Sequence, residues 1–163
     1  MLRTGLGYDI HRLKKGRRFL LAGIEIPAPK GELGHSDGDV LAHAVCDALL
    51  GAAGLGDIGE LFPPSDPQYK DADSMELLRV VFSRVKQQGY LLVNLDCVII
   101  CENPKVLPYR EVIRSSLAKV LETSPERIFV KGKTAEGLGD IGKGKAVQAL
   151  VTCLLTSWQP MEV

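Results

Sequence analysis

Hydrophobic and polar positions along the chain predict short strands and one buried helix in its first third. An apolar stretch over residues 2–9 predicts the first strand, which runs into a polar motif. Phe19–Ala22 and Ile24–Ile26 predict a short pair of strands with a glycine between them. The Ala- and Leu-rich run Asp39–Ala53 is typical of a buried helix, and Gly54 marks its end.

Two stretches rich in turn-forming residues predict loops over residues 30–38 and 57–72. After the second loop, Asp73 is a candidate N-cap, and Glu76 completes a capping-box pattern three residues later. The segment that follows repeats an apolar residue at spacing four and stops at Gly89. This spacing predicts a helix with one apolar stripe.

The second half of the chain reads as strands separated by one helix. Leu91–Cys101 is apolar and β-branched, which predicts a central strand, and Pro108 suits the start of a helix that reaches about Glu122. Ile128–Thr134 predicts another strand, which ends in a polar motif. The alternation over Ala146–Thr156 predicts a last strand with one wholly apolar face and one mixed face.

This order of elements predicts an α+β fold in which helices cover one face of a mixed β-sheet. Residues 1–163 are long enough for a single domain with a sizeable core. The uncovered face of such a sheet would carry Leu and Val side chains that need burial. Packing against other copies of the chain is the expected solution.

Composition narrows the class of protein. The formal net charge is +0, from 20 basic and 20 acidic residues, which argues against a surface dedicated to nucleic acid or anionic lipid. No apolar run approaches the ~20 residues of a membrane-spanning helix, and no signal peptide is visible. The cysteines lie in apolar segments without a Cys-x-x-Cys pair, which favours reduced thiols in a cytoplasmic protein. They are Cys46, Cys97, Cys101 and Cys153.

The three histidines of the chain fall near carboxylates in two short polar motifs. Asp9 and His11 are two apart on the predicted first strand, so they project to the same side. His35 precedes the predicted helix, and His43 lies one turn into it, on the same side as Asp39 and Asp47 by i,i+4 spacing. One carboxylate and two imidazoles suit Zn²⁺ with an open coordination position. The same ligand types bind non-haem iron, although those enzymes typically use a different scaffold.

Residues around these motifs suit a phosphate ligand. Ser36 and the backbone N–H groups that enter the predicted helix lie at a helix N-terminus, which favours anions. Lys133 and Thr134 end a strand, and Lys105 adds a cation between two prolines. Glu136 would bind a harder cation such as Mg²⁺ together with phosphate oxygens. The chain has no Walker-type motif, so a P-loop nucleotide enzyme is not expected.

Taken together, these motifs resemble those of the 2-C-methyl-D-erythritol 2,4-cyclodiphosphate synthases of the non-mevalonate isoprenoid pathway. The resemblance is carried by Gly7–His11, by His35–Asp39 with His43, and by Asp47–Ala53 with Gly56–Gly59. It continues through Leu61-Phe62-Pro63, Asp66-Pro67, Ala72-Asp73-Ser74, Pro104-Lys105 and Lys131 to Glu136, and so covers nearly the whole chain.

The resemblance implies a homotrimer whose sheets face the central axis and whose active sites lie at subunit boundaries. The substrate would be 4-diphosphocytidyl-2-C-methyl-D-erythritol 2-phosphate. Its 2-phosphate would attack the β-phosphorus of its own diphosphate and release CMP as the cyclic diphosphate closes. Such an enzyme is a phosphorus–oxygen lyase with no covalent nucleophile of its own.

The resemblance also assigns roles to individual residues. Asp9, His11 and His43 would bind Zn²⁺, and Glu136 would bind a Mg²⁺ or Mn²⁺ that bridges the diphosphate. His35 and Thr134 would position the reacting phosphates and stabilise the transition state. The cytosine would lie against Cys101–Leu107 of a neighbouring subunit. The further substrate contacts would be Ser36, Asp57, Ile58, Gly59, Phe62, Ser65, Asp66, Cys101, Pro104, Lys105, Val106, Leu107, Lys133 and Lys143.

Some positions depart from the pattern of the family. Pro64 stands where family members often have Asp, and Asp140 with Lys143 stands where many have an aromatic residue and an Arg near the trimer axis. The Thr triplet common in the family is here Lys133-Thr134-Ala135, which keeps only the middle hydroxyl. These departures motivate a second hypothesis, an oligomer that binds metal or nucleotide without turnover. A third hypothesis is a zinc phosphohydrolase with water at the open metal position.

Overall fold

The computed structural model describes residues 1–157 and contains a five-stranded mixed sheet and a separate two-stranded sheet. The five strands run in the order β4–β1–β7–β5–β6, and β5 and β6 are the parallel pair. The predicted α+β class with a mixed sheet is confirmed. Residues 158–163 of the predicted single domain lie outside the described part.

The strands are β1 (Leu2–Lys14), β2 (Phe19–Leu21), β3 (Ile24–Ile26), β4 (Gly31–Leu33), β5 (Tyr90–Ile100), β6 (Ile128–Lys133) and β7 (Ala146–Ser157). The α-helices are α1 (Val40–Ala53), α2 (Ile58–Leu61), α3 (Ser74–Gln87), α4 (Arg110–Val120) and α5 (Gly139–Gly142). Short 3₁₀ turns cover Pro67–Tyr69, Leu107–Tyr109 and Pro125–Arg127. Among the residues described, every helix is too short or too polar to cross a membrane.

Helix α1 packs directly on the backbone of β1 because two glycines remove the side chains between them. A Cβ atom on Gly7 would lie 1.8 Å from the carbonyl oxygen of Ala44, and one on Gly5 would lie 1.9 Å from that of Ala48. Only glycine permits this approach. As a result, the face of α1 that carries His43 lies against the strand that carries the other predicted metal ligands.

The two faces of the sheet differ as the alternation predicts. On β7, the residues from Val147 to Leu155 at odd-numbered positions are buried in the core beneath the helices. On the opposite face, Leu6, Tyr8 and Ile10 of β1 remain 67%, 49% and 46% exposed. Large apolar side chains in a row on an open sheet face need a covering partner.

The predicted helix boundaries agree with the capping geometry. Asp39 accepts a hydrogen bond from the backbone N–H of Ala42, and Asp73 accepts one from that of Met75. Gly54 adopts the left-handed conformation at the end of α1. The capping-box prediction is only half right, because Glu76 pairs with Arg79 instead of returning to the Asp73 backbone.

Three element predictions were wrong in extent. β1 continues to Lys14 instead of ending at residue 9, because its pairing with β7 extends to Arg12–Ala146 and satisfies the backbone of the polar motif. Residues 31–33 of the predicted loop form β4, which pairs with the end of β1. Within the second predicted loop, Asp57 caps the single turn α2.

The outer edge of β6 is occupied by arginine side chains from α4. Arg110 Nε donates to the carbonyl oxygen of Val130 at 2.8 Å, and Arg114 Nε donates to that of Ile128 at 2.7 Å. Both guanidinium groups also lie over the ring of Phe129. Two carbonyls that an edge strand would otherwise leave unpaired therefore have donors.

Candidate active site

Asp9, His11 and His43 converge on one point, as predicted. The Asp9 Oδ2 atom lies 3.0 Å from His11 Nε2 and 3.0 Å from His43 Nδ1. One ligand atom from each residue lies within 4.8 Å of the others, which is the arrangement of a group that can hold a metal ion. The aspartate and His11 come from β1 and His43 from α1, so the contact between these two elements creates the cluster.

The outer nitrogen of His11 fixes which ring nitrogen carries its proton. His11 Nδ1 lies 2.6 Å from the backbone carbonyl oxygen of Gly38. A carbonyl accepts hydrogen bonds and cannot donate one, so Nδ1 carries the proton. In the neutral ring, Nε2 is then an unprotonated acceptor that faces Asp9.

The outer nitrogen of His43 is also hydrogen-bonded. His43 Nε2 lies 2.9 Å from the hydroxyl of Ser36 and 2.9 Å from that of Ser74. A proton on Nε2 leaves Nδ1 as an acceptor directed at Asp9. Three acceptor atoms, one carboxylate oxygen and two ring nitrogens, then meet at one place, and only a cation or a proton can stabilise them there.

When the cluster holds protons instead of a metal ion, the ring nitrogens that face Asp9 become donors, and the cluster again favours positive charge. Burial alone would raise the pKa of Asp9, but hydrogen bonds from His11 and His43 and their positive charge hold that pKa well below its usual range. Burial alone would lower the pKa of His11, yet the Asp9 carboxylate raises it above the ordinary value. The site therefore attracts positive charge, and its donor set fits Zn²⁺ with one position left for substrate.

Two other carboxylates of α1 have different roles. The sequence placed Asp39 on the same side as His43, but its carboxylate is fully buried and accepts from the backbone N–H groups of Ala42 and Gly23. Asp39 therefore starts the helix and does not face the cluster. Asp47 lies near the cluster and accepts from the backbone N–H of Ile58, which ties α2 to α1.

A cavity of about 230 Å³ opens beside the cluster, and we refer to it as the histidine cavity. It is lined by Asp9, His11, His35, Ser36, His43, Asp47, Ile58, Gly59, Phe62, Pro64, Tyr69 and Leu77. His35 is exposed there, whereas Ser36 is buried and its hydroxyl is turned towards His43.

A separate cavity of about 250 Å³ lies at the carboxyl ends of the parallel strands β5 and β6, and we refer to it as the lysine cavity. It is lined by Cys101, Pro104, Lys105, Val106, Leu107, Arg110, Gly132, Lys133 and Thr134. Gly132 matters here because a Cβ atom would lie 2.9 Å from the Cβ of Val106. The predicted cytosine wall and the predicted Lys133-Thr134 motif thus share one pocket.

The loop after β6 is held by a carboxylate that no sequence motif marks. Glu102 Oε1 accepts from the backbone N–H groups of Ala135 at 2.8 Å and Gly137 at 3.3 Å. Between them Glu136 adopts a left-handed conformation, with a φ of 52°, and accepts a hydrogen bond from the Thr134 hydroxyl. Thr134 and Glu136 are in direct contact; the resemblance assigns the first to phosphate positioning and the second to metal binding.

Several predicted contact residues line neither cavity. Asp57 and Asp66 are capping residues whose carboxylates accept from the backbone N–H groups of Glu60 and Gln68. Ser65, Glu136 and Lys143 are exposed. His35 and Thr134, which the resemblance pairs, line different cavities of the same chain.

Some residues in or beside these cavities carry no motif of their own. Tyr69 and Leu77 line the histidine cavity, and Arg110 lines the lysine cavity. Ser74 contacts His43 from the start of α3, far away in the sequence. The only sequence signal for Ser74 is its place after the Asp73 cap, which predicts a helix start and not a contact with a histidine.

The model of the YgbB family matches residues 2–156 of the chain. The chain belongs to the YgbB family. A relative from Treponema denticola named 2-C-methyl-D-erythritol 2,4-cyclodiphosphate synthase is 58% identical over 154 residues, which covers 94% of this chain and 96% of the relative. The resemblance seen in the motifs therefore extends through the whole YgbB domain.

Solved structures share the fold. A 2C-methyl-D-erythritol-2,4-cyclodiphosphate synthase with CDP bound superposes with a TM-score of 0.87 at 42% identity, covering 94% of this chain and 100% of that one. The bifunctional IspDF of Campylobacter jejuni superposes with a TM-score of 0.94 at 42% identity and covers 98% of this chain. This chain spans 43% of the bifunctional protein, so it corresponds to one part of that longer chain.

Proposed function

We propose that this protein is a 2-C-methyl-D-erythritol 2,4-cyclodiphosphate synthase. It converts 4-diphosphocytidyl-2-C-methyl-D-erythritol 2-phosphate into the cyclic diphosphate and CMP. The observation that carries the proposal is the convergence of Asp9, His11 and His43 beside a cavity in a member of the YgbB family. The alternative of a P-loop enzyme has no support in the sequence.

The reaction is an intramolecular phosphoryl transfer. An oxygen of the 2-phosphate forms a bond to the β-phosphorus, the bond from that phosphorus to the oxygen shared with the α-phosphate breaks, and the electron pair leaves on CMP. The substrate supplies both nucleophile and leaving group. The protein therefore has to hold a flexible chain in line and stabilise charge, and such positioning contributes roughly 7–11 kcal/mol at best.

Two cations would assist. Asp9, His11 and His43 would hold Zn²⁺, and Glu136 would hold Mg²⁺ or Mn²⁺ beside the diphosphate. Bound in these places, the cations neutralise the charge that develops on the phosphate oxygens.

The side chains around the cavities have separate tasks in this proposal. His35, exposed in the histidine cavity, donates a hydrogen bond to a phosphate oxygen and so restricts its direction. The Thr134 hydroxyl turns from Glu136 to the diphosphate. Lys105 and Lys133 attract the phosphates of the cytidine end, while backbone groups of Cys101–Leu107 receive the base.

We further propose that the active site is completed by a second copy of the chain in a homotrimer. His35 and Thr134 act on the same phosphates in this mechanism, yet they line different cavities of one chain. A histidine cavity of one copy placed beside the lysine cavity of the next would bring them together. The exposed apolar row of Leu6, Tyr8 and Ile10 supports an assembly in which the sheets face a central axis.

A combined assay tests the function. Purified protein is analysed for metal, stripped with chelator, and assayed for CMP release from the cytidine diphosphate substrate with and without added Zn²⁺ and Mg²⁺. We expect bound zinc and CMP release that needs both ions. CDP binding without CMP release would favour a binding protein, and phosphate release without cyclic product would favour a hydrolase; either outcome overturns the proposal.

Mixed oligomers test the shared site. His43→Ala disables the histidine cavity and Thr134→Val disables the lysine cavity, and each variant alone should release little CMP. In trimers assembled at random from equal amounts, about one boundary in four would combine an intact cavity of each kind. We expect a corresponding share of wild-type activity to return. Mixtures that stay inactive after verified subunit exchange would refute a site between subunits.

A further inference from the structure

A buried hydrogen-bond chain connects His43 to a carboxylate that lies outside the predicted metal ligands. Ser74, the first residue of α3, is fully buried, and its Oγ atom lies 2.9 Å from His43 Nε2. The Ser74 hydroxyl donates to Asp37 Oδ1, and its backbone N–H donates to Asp37 Oδ2 at 3.1 Å. Asp37 thus binds the start of α3 with both carboxylate oxygens.

The direction of these hydrogen bonds follows from counting protons. The Asp37 carboxylate also receives the backbone N–H of Asp39, so the groups around it are donors. A serine hydroxyl has a single proton, and Ser74 gives that proton to Asp37. Towards His43, the Ser74 oxygen can then only accept.

Ser36 is compatible with the same assignment. Its hydroxyl oxygen lies 2.9 Å from His43 Nε2 and 3.2 Å from the Ser74 oxygen, and it accepts from the backbone N–H of Gly38. Ser36 can give its proton to Ser74 and share the proton of Nε2 as a second acceptor. The two hydroxyls therefore form one acceptor site for a single N–H group.

We propose that Ser74 and Asp37 are positioning residues that hold His43 with its proton on Nε2, so that the lone pair of Nδ1 points at Asp9 and His11. This inference rests on the metal centre proposed above. It gives His43 the same kind of outer partner that the Gly38 carbonyl gives His11. Partners of this kind fix ring orientation and tautomer in metal sites, and removing one typically costs about 10–100-fold in metal affinity.

Zinc affinity measured by chelator competition is the first test. Ser74→Ala removes one of the two acceptors, the one whose direction Asp37 fixes, and should weaken zinc binding about 10–100-fold. Asp37→Asn, which keeps one of two acceptor oxygens, should weaken it less. Ser116→Ala is the matched control, because the Ser116 hydroxyl also donates a partly buried hydrogen bond, to the Ala22 carbonyl on another part of the fold. Its zinc affinity should stay at the wild-type value.

The tautomer itself is the second test, since a role in folding alone would not move it. With ¹⁵N-labelled histidine, each of the three rings gives its own pattern of ring-nitrogen signals. In metal-free protein at a pH where the rings are neutral, wild-type His43 should show the Nε2–H form. Ser74→Ala should show a mixture of both forms.

The outcomes separate this inference from the function proposed above. Wild-type protein that binds no zinc would overturn the proposed metal centre. Wild-type protein that binds zinc while folded Ser74→Ala binds it equally well, with an unchanged tautomer, would overturn the positioning role alone. If Ser74→Ala does not fold, Asp37→Asn gives the same two readouts.

Discussion

The histidine cavity and the lysine cavity are built in different ways. In the first, Asp9, His11 and His43 are partly buried, and the outer ring nitrogen of each of these two histidines has a partner within the chain. In the second, exposed Lys105 and Lys133 lie beside residues of the loop that follows β5. The ligand cluster of the histidine cavity is therefore held by contacts within the chain, whereas the side chains that give the lysine cavity its charge are exposed.

The two cavities also differ in how far apart their lining residues lie in the sequence. The histidine cavity unites residues from Asp9 to Leu77 through the packing of α1 on β1, with α3 as a support. The lysine cavity lies where two adjacent parallel strands end, between Cys101 and Thr134. Damage to core packing should consequently reach the first cavity and spare the second, and the following predictions test that difference.

The largest effect is expected from Gly7→Ala. Its Cβ would lie 1.8 Å from the Ala44 carbonyl oxygen, so α1 must move away from β1. We expect a loss of about 3 kcal/mol or more in the free energy of unfolding, measured by urea denaturation. Gly51→Ala is the control, because no atom lies within 4 Å of its Cβ, and it should gain about 0.5–1 kcal/mol through helix propensity. Equal stability of the two variants would contradict the close α1–β1 contact.

The next effect is expected from His43→Ala. This change removes one ligand from the cluster while α1 keeps its caps, so zinc and at least about 100-fold of the CMP release should be lost. The metal-free protein should still unfold cooperatively. Normal turnover by a zinc-free variant would show that the cluster does not hold a metal ion needed for catalysis.

A smaller effect, confined to substrate binding, is expected from Lys105→Ala. One charge-assisted hydrogen bond is worth about 1.5 kcal/mol, so KM for the cytidine substrate should rise about tenfold while kcat changes little. Zinc content should not change, which separates the two cavities. Lys119→Ala, on α4, is the control for the loss of a charge. A variant that loses zinc would show that the two cavities are coupled.

The last effect, which concerns stability alone and depends on pH, is expected from Glu32→Gln. Burial, and then the charge of Asp39, raise the pKa of Glu32 well above its usual range, and Oε1 has no partner among the residues described. A carboxyl group whose pKa is raised in the folded state stabilises the fold fully at pH values below its pKa in the unfolded chain. That stabilisation is lost as the pH rises towards the folded-state pKa. The Gln amide resembles the protonated carboxyl group but does not ionise, so the variant keeps this stabilisation as the pH rises.

The Glu32→Gln variant should therefore match the wild type near pH 4 and exceed it by about 1–3 kcal/mol at pH 7. Denaturation at several pH values measures the difference. A difference that is the same at all pH values would mean that Glu32 does not carry its proton into neutral solution.

The cluster was predictable because alternation on a strand and spacing on a helix are local rules. Asp9 and His11 had to share a side of β1, and His43 had to lie one turn into α1. Asp39 shows where such rules fail: its i,i+4 spacing from His43 fits a ligand, but the N-cap position requires its carboxylate for backbone N–H groups. The position of the Asp39 carboxylate is therefore set by the backbone N–H groups that need an acceptor and not by its spacing from His43.

What the sequence could not show depends on long-range pairing. Residues 31–33 have no strand signal of their own and form β4 because the end of β1 is available beside them. Ser74 reaches His43 only because α3 starts against the loop that contains Asp37. Similarly, no motif shows that His35 and Thr134 lie in different cavities of one chain, because that separation follows from where the strands end.

The arginine side chains along β6 limit how copies of this protein can meet. An uncovered outer strand is a template on which another strand can add, and repeated addition gives open-ended ribbons. Arg110 and Arg114 occupy the Val130 and Ile128 carbonyls at one margin, and at the other margin β4 is 3 residues long. Strand addition is thereby hindered along β6, so we expect copies of this protein to associate through the exposed apolar row of Leu6, Tyr8 and Ile10 and not through this edge.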